Sequence, residues 1–200
     1  YTGEWSNDVI CGEGELSYVR EVKYGRSKKI EKNKLKGTFV NGVFQGRLTE
    51  EYEDEILWSS FGLKSEDFRY YKRLSERDYK KLKNPAAIEG SIILSCECLS
   101  GFAIFEGASI FRKNLSWWSS SIPPKTKSII LASRQREFDI IQWHAKELEI
   151  ELNKKKLPCN NESILIAWEA LSLKERECVQ IRKNYSVETA WNPKKGGAIK

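Results

Sequence analysis

Two stretches near the start of the chain share one frame of glycine, aromatic and asparagine residues. Gly3, Trp5, Asn7 and Gly12 of the first align with Gly37, Phe39, Asn41 and Gly46 of the second. This frame limits what the backbone can do. Asn41-Gly42 stands between two short runs of strand-forming residues, and an Asn-Gly pair tolerates the positive φ angles that a two-residue type I′ turn demands. The spacing predicts a β-hairpin there, with Phe39 and Phe44 flanking the turn, and a similar hairpin around Asn7-Asp8. One hairpin is marginal in water. The two are therefore expected to stack and bury their aromatic rings on one another.

Between the repeats the chain turns basic. Residues 20–36 carry eight bases (Arg20, Lys23, Arg26, Lys28, Lys29, Lys32, Lys34 and Lys36) against Glu21 and Glu31. They read as a long or mobile connection between strands. Residues 50–55, Glu-Glu-Tyr-Glu-Asp-Glu, are the acidic counterpart, and residues 69–83 form a second basic block. The whole chain has 34 bases and 28 acids, a formal net charge of +6. That balance excludes a histone-like polycation and points to localised contacts.

The rest of the 200 residues reads as mixed structure. Residues 64–83 read as helical, opened by Ser65 with Glu66 and Asp67 on its first turn and closed by Asn84-Pro85. Residues 88–112 return to strand patterns, Trp117 to Pro124 reads as a loop, and Ser128-Ile-Ile-Leu-Ala132 reads as a buried strand. Phe138, Ile141, Ala145, Leu148 and Leu152 recur at helical spacing, which predicts a helix over 134–156 with one apolar seam. Residues 162–184 form another helical region, and Ser172-Leu-Lys-Glu175 suggests a restart within it. Strand runs segregated from helix runs argue for an α+β fold. The expected architecture is an N-terminal antiparallel β-hairpin region, 1–60, packed on an α+β domain, 61–200, with C-terminal helices.

Cysteine and histidine narrow the chemistry. The five cysteines, Cys11, Cys96, Cys98, Cys159 and Cys178, form no CxxC pair. Structural zinc needs closely paired ligands, so no metal or cofactor is expected. Free thiols in a reducing cytoplasm are the expected state. His144 is the sole histidine. Two-histidine metal and phosphodiesterase sites are therefore excluded within this chain. His144 itself reads as a helical residue beside the core seam. No stretch approaches 18 consecutive apolar residues, so no transmembrane helix is expected.

The first 18 residues, Tyr1-Thr-Gly-Glu-Trp-Ser-Asn-Asp to Tyr18, and the stretch Leu35 to Leu48 resemble the MORN repeat. That pattern runs Tyr-x-Gly-x-aromatic-x-Asn-Gly, followed by Gly-x-Gly and a closing aromatic strand. Asp8, Leu35 and Leu48 depart from it, and the matching stretches cover only the first 50 residues. The resemblance implies a stacked hairpin array that serves as a scaffold contacting proteins or membranes, without catalysis. A segment from Leu171 to Ala190 also faintly resembles the helix-turn-helix of LuxR-type and sigma-factor proteins, whose second helix enters a DNA groove.

Three sets of side chains are functional candidates. Trp117 and Trp118, adjacent in a polar loop, suit a surface anchor for a protein partner. Arg69, Lys72, Arg73, Lys80 and Lys81 alternate with tyrosines, as suits phosphate contact with base stacking. Asp8, Glu21 and Lys23 have the form of a PD-(D/E)xK nuclease centre, in which two carboxylates hold a divalent metal and a lysine steadies the attacking water. The reading favours a non-catalytic interaction or adaptor module with another protein as partner. A metal-dependent nuclease or a nucleic-acid-binding accessory protein is the alternative, and peripheral membrane contact stays open.

Overall fold

A computed structural model of the chain describes residues 1–24, 27–47, 54–59, 61–68, 70–72, 85–120, 122–188, 191–192 and 197–198. The fold is α+β. Four antiparallel strands, β1 (Thr2–Ser6), β2 (Val9–Tyr24), β3 (Ser27–Val40) and β4 (Val43–Phe44), form an N-terminal sheet in that order. A second sheet has the order β5-β9-β10-β6, built from β5 (Gly46–Arg47), β6 (Glu55–Leu57), β9 (Gly90–Leu99) and β10 (Phe102–Arg112). A small third sheet joins β7 (Tyr70–Lys72), β11 (Trp117–Ser119) and β8 (Ala86–Ala87). Two long helices follow, α1 (Pro124–Lys154) and α2 (Asn161–Glu188), and then a short strand pair, β12 (Trp191–Asn192) with β13 (Gly197–Ala198). No helix among the described residues is long and apolar enough to cross a membrane.

The chain divides into two compact units. One comprises Tyr1–Glu50, Leu94–Glu106 and Glu149–Ala170; the other comprises Glu51–Ile93, Gly107–Leu148 and Leu171–Lys200.

In the first unit both expected turns are present. Asn7 and Asp8 sit at φ 51° and 61°, and Asn41 and Gly42 at 49° and 81°. Positive φ at both central residues is the type I′ signature, whose twist matches that of the flanking strands. The stretch expected as a connection is instead strand. β2 and β3 pair continuously from Gly12↔Phe39 to Tyr24↔Ser27. β1 pairs with β2 only as far as Glu15, and β4 pairs only with Phe39 and Val40. Beyond those positions β2 and β3 form a two-stranded ribbon.

In the same unit, Asn160 opens α2 by accepting the Ser163 N–H at 3.0 Å on Oδ1, as an N-cap does. Asn153 closes a pair of bonds with the Phe105 backbone. Its Oδ1 accepts the Phe105 N–H at 2.9 Å, and its Nδ2 donates to the Phe105 carbonyl at 2.8 Å.

The core of the second unit is aromatic. The Phe68 ring lies 5.1 Å from Phe111 and 5.3 Å from Trp118, and Phe111 lies 6.0 Å from Phe138. The predicted α1 seam is the buried face of that helix: Phe138, Ile141, Ala145, Leu148 and Leu152 are all buried. α1 begins ten residues earlier than expected, so Ser128-Ile-Ile-Leu-Ala132 is helix and not strand. Pro124, at the first helical position, starts it without sacrificing a hydrogen bond. α2 runs through Ser172 without a break. Its buried positions Ile164, Ala167, Trp168, Leu171, Lys174 and Cys178 keep helical spacing across the supposed restart, and a capping box works only where the preceding backbone leaves the helix. The continuous helix also removes the turn that a helix-turn-helix over 171–190 requires. The described residues of 64–72 are not an α-helix: Ser65–Asp67 makes one 3-10 turn and Tyr70–Lys72 is strand. Residues 73–84 lie outside the described residues.

One charged network is buried in this unit. Arg134 Nη1 lies 2.8 Å from Glu137 Oε1 and donates to the Ala86 carbonyl at 3.2 Å. Arg182 Nη2 lies 4.0 Å from the other Glu137 oxygen and donates to the Ile88 carbonyl at 3.1 Å. Both helices thus hold the backbone on either side of Ala87. Burial pushes the Glu137 carboxyl above its usual range, against the pull of Arg134 and Arg182, and lowers the Arg134 guanidinium. Removing one member of such a cluster leaves a buried charge without its counterion. Glu137→Ala is expected to lower unfolding free energy by roughly 3–5 kcal/mol in a urea titration. The exposed neighbour Arg136→Ala is expected to change it by less than about 0.5 kcal/mol.

Candidate functional site

The described surface that best combines repeat chemistry with open backbone is the N-terminal sheet. Its register places Gly3 opposite Gly14 and Gly14 opposite Gly37, a row of glycines across three strands. A Cβ on Gly3 would come within 2.6 Å of the Gly14 Cα and 2.7 Å of the Glu13 carbonyl oxygen. The Tyr1 ring fills the space over Gly3 and Gly14 that side chains would otherwise occupy. That ring packs edge-on against Trp5 at 5.5 Å and Phe39 at 5.2 Å, and Phe39 meets Phe44 at 5.3 Å. Edge-to-face contact sets the positive ring edge against the negative face of the next ring. The aromatic residues therefore form one ladder along the glycine row.

The two repeats are not equivalent in burial. Phe39 is 1% exposed, whereas its repeat partner Trp5 is 58% exposed. The difference comes from strand order. β3 is interior, and β1 is the edge of the sheet with all five residues exposed. Between Gly3 and Glu4 the register with β2 slips, leaving Gly12 and Glu13 as extra residues in a bulge.

The alternate positions of the same strands carry polar groups. Thr2 stands opposite Glu15 and Glu15 opposite Lys36, with Glu13 opposite Thr38. Thr38 Oγ1 donates to Glu13 Oε1. A shallow depression of about 390 Å³ is lined by Thr2, Glu13, Gly14, Glu15 and Lys36. Desolvation, with added repulsion from Cys11, Glu4 and Glu13, raises the Tyr1 phenol above its ordinary value. The neutral phenol donates to the Cys11 carbonyl at 3.3 Å.

The other candidates fare differently. Trp118 is 3% exposed against Phe68, and Trp117 is half-buried, both in β11 and not in a loop. Trp118 is a core residue and cannot serve as a surface anchor. Trp117 pairs with Ala87 on one side and Tyr70 on the other. Arg69, Arg73, Lys80 and Lys81 lie outside the described residues, as does the Lys72 side chain, whose backbone belongs to β7. Asp8 occupies the exposed turn before β2, and Glu21 lies thirteen residues along, within that same strand. At the rise of an extended strand they are roughly 40 Å apart, so Asp8 and Glu21 cannot share a metal ion. Among the described residues no group of three or more His, Cys, Asp or Glu side chains is placed to hold one. His144 is buried in α1, with Nδ1 2.8 Å from the Ile140 carbonyl oxygen, as expected for a seam histidine.

The cysteines depart from the free-thiol expectation. Cys98 and Cys159, with Cα atoms 5.7 Å apart, form a disulfide. Gln45 brackets Cys98: its Oε1 accepts the Cys98 N–H at 2.9 Å and its Nε2 lies 3.3 Å from Sγ. No spacing rule reveals such a pair, because the two residues are 61 positions apart and meet only in the fold. Cys11, Cys96 and Cys178 are free.

No protein-family model, curated protein or solved structure matches the chain.

Two outcomes follow for the thiols. Burial, with Glu97 adding to it, pushes the Cys96 thiol up to about 12; burial pushes Cys178 up to about 11, against the pull of Arg182. The thiolate is the reactive form, so alkylation at pH 8 under native conditions is expected to label Cys11 and spare Cys96 and Cys178 until urea unfolds the protein. Mass spectrometry of the labelled peptides reads this directly. Reducing the Cys98–Cys159 bond opens a 61-residue loop and is expected to lower unfolding free energy by about 4 kcal/mol on loop-closure grounds.

Proposed function

We propose that the hairpin sheet is a protein-docking module of the MORN-like kind, and that the chain acts as a scaffold or adaptor without catalysing a reaction. The observation that carries this reading is the open edge strand β1. It is five residues long and exposed throughout, and it presents Trp5 at 58% exposure. It contains neither proline nor lysine, and its one charge is Glu4. The opposite edge, β4, is two residues long and buried. An extended segment of a partner protein adds to β1 through main-chain hydrogen bonds. Trp5 then supplies the aromatic anchor, at the exposed end of the described ladder.

This reading keeps another protein as the main partner and assigns the chain no cofactor. The cytoplasmic placement belongs to the same proposal. It rests on the thiols of Cys11, Cys96 and Cys178, since Cys98 and Cys159 no longer support it.

The test is co-purification with the full chain as bait, followed by titration with the recovered partner in pure form. Trp5→Glu is expected to weaken that partner by at least about tenfold, as removal of an interface anchor does. The comparison variant is Phe61→Ala, which removes a ring that is 91% exposed in the other unit. Loss of the partner on Phe61→Ala with full retention on Trp5→Glu would place the docking surface elsewhere and end this reading.

A further inference from the structure

The register of β1 fixes which of its backbone groups face outward. The two-residue turn at Asn7-Asp8 makes Ser6↔Val9 a hydrogen-bonded pair, and such pairs alternate with non-hydrogen-bonded ones along an antiparallel ladder. Trp5↔Ile10 is therefore a non-hydrogen-bonded pair. The Ile10 carbonyl accordingly turns away from β1 and accepts the Gly42 N–H at 2.9 Å. Trp5 in the same way turns its N–H and C=O to the outer side of β1, where no described strand pairs with it. The open main-chain pair and the exposed ring thus belong to one residue.

The charge around this edge has one sign. Residues 1–15 contain Glu4, Asp8, Glu13 and Glu15 and no lysine or arginine. Successive positions of a strand alternate between its faces, so Thr2 and Glu4 share the face opposite that of Gly3 and Trp5. Thr2 lines one shallow depression there with Glu13, Glu15 and Lys36. The Glu4 carboxylate lies over Gly12. Of the β3 residues paired with Gly12 to Glu15, only Lys36 is basic.

We propose, resting on the edge-docking reading above, that the segment which adds to β1 is basic. It is an extended peptide with lysine or arginine at alternate positions and an apolar residue opposite Trp5. In strand addition the residue paired with Trp5 lies on the Trp5 face, and its two neighbours lie on the Glu4 face. Opposite charges on adjacent strands stabilise their pairing and like charges destabilise it. A second copy of this chain is a poorer occupant, because its own hairpin brings the same four acids. A nucleic acid or an anionic lipid surface is poorer again, because these carboxylates repel its phosphates.

The experiment is fluorescence anisotropy with the full chain and three labelled nine-residue peptides. Each has valine at one set of alternate positions and lysine, glutamine or glutamate at the other. The lysine peptide is expected to bind at least about tenfold more tightly than the glutamate peptide at 50 mM salt. Most of that lead is expected to vanish at 500 mM, where screening shortens the reach of exposed charges. A variant combining Glu4→Gln, Glu13→Gln and Glu15→Gln is expected to weaken the lysine peptide at least about fivefold and to leave the glutamine peptide unchanged. A control combining Glu162→Gln and Glu169→Gln removes two exposed acids of α2 and is expected to bind all three as wild type does. Trp5→Ala is expected to weaken the lysine and glutamine peptides alike, since it removes the ring and keeps the charges.

A second measurement needs no variant. In the wild-type chain the lysine peptide is expected to slow hydrogen exchange at the Trp5 N–H and to leave the Phe61 N–H unchanged. Equal binding of the lysine and glutamate peptides, with Trp5 protected by both, overturns the basic preference and leaves the edge-docking reading in place. Binding of the lysine peptide without Trp5 protection places it off the edge and overturns the proposal, as does an undiminished lysine preference in the triple variant. Failure of all three peptides to bind overturns it as well, while the dependence of the co-purified partner on Trp5 still decides the edge-docking reading.

Discussion

The N-terminal sheet depends on one close approach: an aromatic ring over a row of residues that have no side chains. Gly3 and Gly14 stand opposite each other with Tyr1 above them, and Tyr1 in turn meets both Trp5 and Phe39. A methyl group at either glycine would occupy the place of that ring. The ring ties the first hairpin to Phe39 of the second, and small hairpins do not persist alone in water. The glycine frame and the aromatic frame of the repeat are thus two halves of one packing solution. The turns serve it as well. The Asn7-Asp8 turn and the bulge between Gly3 and Glu4 together bring Gly3 opposite Gly14, and the pairing of β2 with β3 adds Gly37 to the row.

The same dependence explains which parts of the fold the sequence discloses. Both hairpin turns were legible because turn geometry is local chemistry, settled by two residues. The seams of α1 and α2 were legible because a period near 3.6 survives any tertiary setting. The misread elements are those whose identity is decided from a distance. Ser128-Ile-Ile-Leu-Ala132 has the apolar density of a buried strand, and only its continuity with the turn begun at Pro124 makes it helix. Trp117 and Trp118 sit among serines in sequence but lie between β7 and β8 in space. The tandem acids after Ser65 cap no more than a single 3-10 turn, because the chain enters β7 within three residues of it. The Cys98–Cys159 pair, 61 residues apart, has no local signature at all.

The candidate site was half legible for the same reason. The repeat frame announced Trp5 and Phe39 as equivalents, and they are equivalent in register. Their exposures, 58% and 1%, differ because one strand is an edge and the other is interior. Strand order is a property of the assembled sheet, so the residue that the sheet leaves open could not be told from the one it buries. The nuclease reading failed on the same ground. Asp8, Glu21 and Lys23 are close in sequence, but an extended strand turns thirteen positions into roughly 40 Å.

The charge pattern separates residues that fold the chain from residues that do something else. Arg134 and Glu137 are buried and Arg182 is half-buried, and each is matched to a carbonyl or to an opposite charge. Lys174, also buried, has Glu147 at 3.7 Å and Glu177 at 3.4 Å. Those charges were fitted to their surroundings. The ribbon is different. Lys23 stands directly opposite Lys28, and like charges in that relation destabilise a strand pair. Three positions along the register, Arg20 stands opposite Glu31 instead, the opposite-charge pairing that stabilises a strand pair.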